Sequence, residues 1–137
     1  MNEGLPKFKG EILLAKIAEV SEGLTYISEI DGAFQTFDAG KRDAVAANYL
    51  FEKESRRGQV EEISFGDLFQ RLTEQRDWFD EEHKLKAKRF AELENLLQEN
   101  LRDLKVFKVG RIQIDIYILG FDVDRNIIGI KTKAVET

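Results

Sequence analysis

From Arg111 to Leu119 apolar and polar residues alternate, placing Ile112, Ile114, Ile116 and Ile118 on one face. A period of two over this length excludes a helix and requires a strand with one buried side. Val106 to Val109 has strand character just before it, and Asn126-Ile127-Ile128-Gly129-Ile130-Lys131-Thr132 has it afterwards. Between them, Gly120-Phe121-Asp122-Val123-Asp124-Arg125-Asn126 is turn-forming. The last third of the chain therefore predicts an antiparallel hairpin.

The rest of the chain has a helical period. Ile12, Leu13, Ile17 and Val20 predict an amphipathic helix over residues 8–20, stopped at Ser21-Glu22-Gly23. Leu24 to Ser28 reads as a short strand or extended segment, Glu29-Ile30-Asp31-Gly32 as a turn carried by Asp-Gly, and Ala33 to Phe37 as a strand. Ala44 to Leu50 suggests a helical turn or two, followed by an exposed connection over 51–58. Ser64 is a good N-cap for a helix carrying Phe65, Leu68, Phe69 and Leu72. A long helix follows from about Asp80 to Leu104, its stripe formed by Leu85, Phe90, Leu93, Leu97, Leu101 and Leu104. Asp80-Glu81-Glu82 at its start suits the helix dipole. Helices mixed with hairpin strands indicate a single α+β domain over residues 1–137, with an antiparallel-rich sheet covered by helices.

Composition narrows the chemistry. There are no cysteines, which excludes thiol catalysis and thiolate metal sites, and His83 is the one histidine. Net charge is −5, unfavourable for direct contact with nucleic acid but compatible with a basic protein partner. The basic run Lys84, Lys86, Lys88 and Arg89 is interleaved with acids and reads as a solvated helix face. No signal-peptide pattern and no apolar run long enough for a membrane span are evident, so a cytoplasmic protein is expected.

Catalytic and metal motifs fail one by one. Asp122-Val123-Asp124-Arg125-Asn126 opens like a calcium loop. The glycine required at its sixth position is Ile127, however, and the glutamate at its twelfth is Lys133. Glu81, Glu82 and His83 are adjacent on a helix and point in different directions. The glycines are scattered and form no phosphate cradle. No cofactor is expected, and no enzyme activity. Two places stay open. Trp78, in Asp77-Trp78-Phe79-Asp80, is either a hydrophobic staple at the start of the long helix or an exposed anchor for a partner. Glu29 is either a loop charge or an interface charge. The chain also ends almost immediately after its last strand, at Lys133-Ala134-Val135-Glu136-Thr137. A terminal carboxylate projecting from a sheet would suit a hard cation or an arginine.

The sequence resembles the nuclease A inhibitor family of small bacterial proteins. The resemblance is carried by Ser21-Glu22-Gly23-Leu24 through Ser28-Glu29, by Asp77-Trp78-Phe79-Asp80-Glu81-Glu82 with the long helix behind it, and by Asp115 to Gly120 and Gly129 to Thr137. Between Asp38 and Glu62 the chain is more charged and lacks the family's prolines. The resemblance implies a three-layer α/β/α sandwich of the pathogenesis-related-1-like type, expected to be a monomer. It also implies inhibition of a sugar-nonspecific, magnesium-dependent DNA/RNA endonuclease. The partner-binding roles it implies fall on Glu29, Asp77, Trp78 and Thr137, with Thr137 ligating the magnesium of the partner. A relative that keeps the fold and binds a different protein is the alternative.

Overall fold

The structure, a computed structural model, describes residues 8–41, 60–75, 78 and 80–136. The expected helical turns at 44–50 and the connection at 51–58 lie outside these residues, as do Asp77 and Thr137. The described chain runs α1 (Gly10–Ser21), β1 (Thr25–Ile27), β2 (Asp31–Ala33), β3 (Gln35–Lys41), β4 (Val60–Ile63), α2 (Phe65–Leu72), α3 (Glu81–Asn100), β5 (Arg102–Gly110), β6 (Gln113–Phe121) and β7 (Asn126–Val135). Five strands form an antiparallel sheet in the order β3-β7-β6-β5-β4, and β1 and β2 form a separate hairpin.

The alternation of β6 decides the core. Ile114, Ile116 and Ile118 face the helices, together with Ile128, Ile130 and Ala134 of β7 and Val106 of β5. Leu13 and Ile17 of α1, Leu68 and Phe69 of α2, and Phe90, Leu93 and Leu97 of α3 complete this cluster. Each fully buried Leu, Ile or Phe contributes about 1.5–3 kcal/mol, so this face dominates stability. The opposite face carries a smaller cluster of Val109, Leu119 and Ile127, bordered by Phe37, Phe107 and Tyr117. All three described helices lie on the first face, so the described residues give an α+β fold with a single helical layer.

Helix ends follow local chemistry. Ser64 accepts the amide of Asp67 at 3.2 Å and Asp80 that of His83 at 2.8 Å, each an N-cap. Gly23, with φ +79°, takes the left-handed conformation just beyond α1. Arg89 of α3 donates to the carbonyls of Val20 (3.1 Å) and Glu22, so it caps α1 instead of lying on a solvated face as expected.

Four expectations are corrected. The long helix ends at Asn100, not near Leu104. The Asn100 side chain donates to the Leu96 carbonyl and accepts the Phe8 amide, both at 2.9 Å, and the chain becomes extended at Leu101. Leu85 is off the buried stripe, 59% exposed. Ile112 falls in the β5–β6 turn and not in line with its neighbours. The Asp31-Gly32 dipeptide is part of β2, and the reversal is made by Ser28-Glu29-Ile30.

Candidate functional site

Of the sequence-derived candidates, Glu29 lies at the end of β7. β6 pairs with β7 as far as Gln113 opposite Val135. On the other side β3 pairs from Lys41 opposite Asn126 only to Gln35 opposite Lys131. Beyond Lys131 the β1–β2 hairpin takes the place of β3. The Thr132 hydroxyl is shared between the carbonyls of Gly32 (3.0 Å) and Ala33 (2.9 Å). The Val135 amide donates to the Ser28 hydroxyl at 3.0 Å, and the Glu29 amide donates to the Val135 carbonyl at 3.2 Å.

Gly32 explains how the hairpin comes so close. A Cβ at that position would lie 2.1 Å from the Lys133 carbonyl oxygen, so only glycine permits the approach. The dipeptide that read as a turn is used for contact.

On the inner side the Glu136 amide donates to the Ile112 carbonyl at 3.0 Å, and the Lys108 ammonium lies 2.9 Å from a Glu136 carboxylate oxygen. Residues 135 and 136 are therefore held by a turn on each side and by a charge-assisted bond from β5. Thr137, just beyond, lies outside the described residues. Three isoleucines in the same two turns and at the end of β1, Ile27, Ile30 and Ile112, are exposed by 67%, 42% and 59%, and Ile30 lines a cleft together with Lys133 and Val135.

The structure thus places Glu29, exposed, directly against the strand end. Trp78 lies in the α2–α3 connection and is 74% exposed, which excludes the staple. The helices on either side of that connection meet the same hairpin. Arg71 of α2 donates to the Tyr26 hydroxyl at 3.4 Å, and a groove of about 290 Å³ runs between Thr25–Ile27 and the ends of α2 and α3. Ser28, Lys108 and Ile112 were not evident as site residues in sequence. Nothing distinguishes a serine before a turn, or one lysine in a strand, until the register is known.

The groups tested for metal binding have other work. Asp122 accepts the amides of Asp124 and Asn126 (both 2.9 Å), the Asn126 side chain (3.0 Å) and the Gly10 amide (3.0 Å). Burial pushes its pKa up, but these hydrogen bonds outweigh burial and hold it below the ordinary carboxylate value. His83 Nδ1 lies 2.7 Å from Asp80, whose pKa is lowered first by the His83 backbone bond and then by the imidazole. Among the described residues no group of three or more His, Cys, Asp or Glu could hold a metal ion. No described helix is long and apolar enough to cross a membrane.

The assembly is of a recognisable class: a small α+β domain that presents a pinned strand end, with exposed apolar side chains in the turns that hold it. The chain matches the nuclease A inhibitor-like proteins (NuiA) over residues 11–137, and it belongs to that family. No curated protein matches it.

Proposed function

We propose that the protein inhibits a sugar-nonspecific, magnesium-dependent DNA/RNA endonuclease by inserting the end of β7 into its active site. The observation that carries this is the fixing of Val135 and Glu136, the two residues before Thr137, from both sides. Magnesium favours oxygen ligands and usually takes one or two from a protein. An oxygen from Thr137 would replace a substrate phosphate oxygen on the nuclease's metal, and the metal belongs to the partner. Glu29 and the exposed isoleucines meet the rim of the cleft, and Trp78, with Asp77, forms a second contact. Membership of the inhibitor family supports the choice of partner class. A three-layer sandwich of the pathogenesis-related-1-like type is part of the same proposal, supported by the burial of Val109, Leu119 and Ile127 on the face away from the described helices.

Titration of several nonspecific magnesium nucleases with the purified protein tests this. Loss of activity at close to one inhibitor per enzyme is expected, with no hydrolysis by the inhibitor. Full nuclease activity at large excess across the panel would reject it in favour of a different protein partner.

A further inference from the structure

We infer that Ser28 and Lys108 are positioning residues for inhibition: they fix the direction in which the chain leaves β7, and through it the affinity for the nuclease. The inference rests on the insertion of that strand end proposed above. A strand end that has lost a neighbour ordinarily frays, and β7 loses β3 after Lys131. Ser28 compensates on the outer edge. Its hydroxyl accepts the Val135 amide (3.0 Å) and the Ile30 amide (3.3 Å) and donates to the Ile30 carbonyl (3.2 Å). One side chain thereby shapes its own turn and ties that turn to the strand end. The neighbouring Glu29 amide, bonded to the Val135 carbonyl, closes a ring beside it.

Lys108 acts from the inner side. It is half-buried on β5, in register with Ile116, and so separated from β7 by β6. Its ammonium reaches across to Glu136 at 2.9 Å, while Ile112 holds the Glu136 amide. With Ser28 on one edge and Lys108 on the other, residues 135 and 136 are already ordered before any partner arrives. A residue that must instead be ordered on binding costs roughly tenfold in affinity. Neither residue needs to touch the nuclease to have this effect.

The test is a double-mutant cycle with the full chain. Ser28→Ala and Lys108→Met are each made alone and together with deletion of Thr137, and inhibition of a magnesium-dependent nonspecific nuclease is measured. Amide hydrogen exchange at residues 135 and 136 is followed in parallel. Each single variant is expected to weaken inhibition by roughly tenfold and to speed exchange at both amides. In the Thr137-deleted background the further loss should be under about twofold, because there is no longer a ligand to aim. Ser28→Thr and Lys108→Arg should restore most of the affinity. Equal losses with and without Thr137 would mean that these residues act by direct contact or through the fold, and would overturn the inference. If deletion of Thr137 weakens inhibition but the single variants do not, positioning alone is wrong. If that deletion has no effect, insertion of the strand end is wrong and positioning falls with it.

Discussion

The buried carboxylate of Asp122 accepts the amide hydrogen of Gly10 at 3.0 Å, which joins the β6–β7 turn to the first residue of α1. The same carboxylate receives three more donors from Asp124 and Asn126. It is thus a structural anchor at the end of the sheet away from the proposed site, and its removal should separate stability from inhibition. Asp122→Asn replaces an acceptor with a group that also carries donors, leaving buried N–H groups unsatisfied. A loss on the order of 2 kcal/mol is expected in urea denaturation, with the inhibitory stoichiometry unchanged.

The pH dependence follows from the direction of the shift. The folded pKa of Asp122 is below its ordinary 3.8, so its stabilising contribution is complete above that value. As pH falls through the folded pKa the carboxylate takes up a proton and the contribution disappears. Stability of the native protein should therefore fall more steeply below about pH 4 than that of Asp122→Asn. Denaturant midpoints measured from pH 6 down to pH 2 check this, and parallel curves would contradict it.

Gly32→Ala should displace the β1–β2 hairpin from β7, because the added methyl would meet the Lys133 carbonyl oxygen at 2.1 Å. Backbone cannot yield as a flexible side chain can. The cost expected is about 1–3 kcal/mol, with loss of amide protection at Val135. Asp31→Ala, one residue earlier and exposed, should change stability by less than about 0.5 kcal/mol. Similar effects from the two substitutions would show that the close approach is unimportant.

Trp78→Ala should leave the melting temperature nearly unchanged, since 74% of the side chain is already in solvent. Binding is another matter: a tryptophan hot spot removed from an interface costs about 2 kcal/mol or more. Calorimetric melting and inhibitor titration on the same sample separate the two. A large fall in melting temperature with unaltered affinity would assign Trp78 to folding.

Replacement of Thr137 by glycine removes its hydroxyl, and deletion of the residue leaves the oxygens of Glu136 about 3.5 Å short of the same place. That displacement exceeds a magnesium–oxygen bond of about 2.1 Å. Deletion should therefore weaken binding to the magnesium-loaded nuclease far more than binding to the metal-free enzyme. Equal losses in both conditions, measured by isothermal calorimetry, would remove the metal from the proposal.

Much of the fold is legible because period and punctuation agree. The β6–β7 hairpin, the Ser64 cap of α2 and the Gly23 stop of α1 each follow from a residue type with one strong local preference. The failures share a cause, which is that distant contacts outweigh local preference. Asp31-Gly32 is an ordinary turn signal until β7 requires a residue without Cβ beside Lys133. Asn100 ends α3 by reaching Phe8, a partner 92 positions away. β4, with the sequence Val60-Glu61-Glu62-Ile63, has little intrinsic strand character and is set by its pairing with Val106–Val109. In the candidate site, exposure puts Trp78 in solvent and register puts Glu29 beside Val135, locations that no local pattern gives, and the contacts of Ser28 and Lys108 depend wholly on which strand ends meet.

The position of β7 also bears on how the molecule is made. It is the last of the described strands in sequence, yet it lies inside the sheet with β3 on one side and β6 on the other. Pairs such as Phe37 with Gly129 cannot form during synthesis until residues 126–135 have left the ribosome. Before then β3 has no partner and α1 lacks much of the surface it covers, so contacts of long sequence separation must wait and then form together. Translation products that stop before β7 would consequently be unable to complete the sheet. They would present an unpaired β3 and an open apolar face, the kind of surface on which chaperones and proteases act.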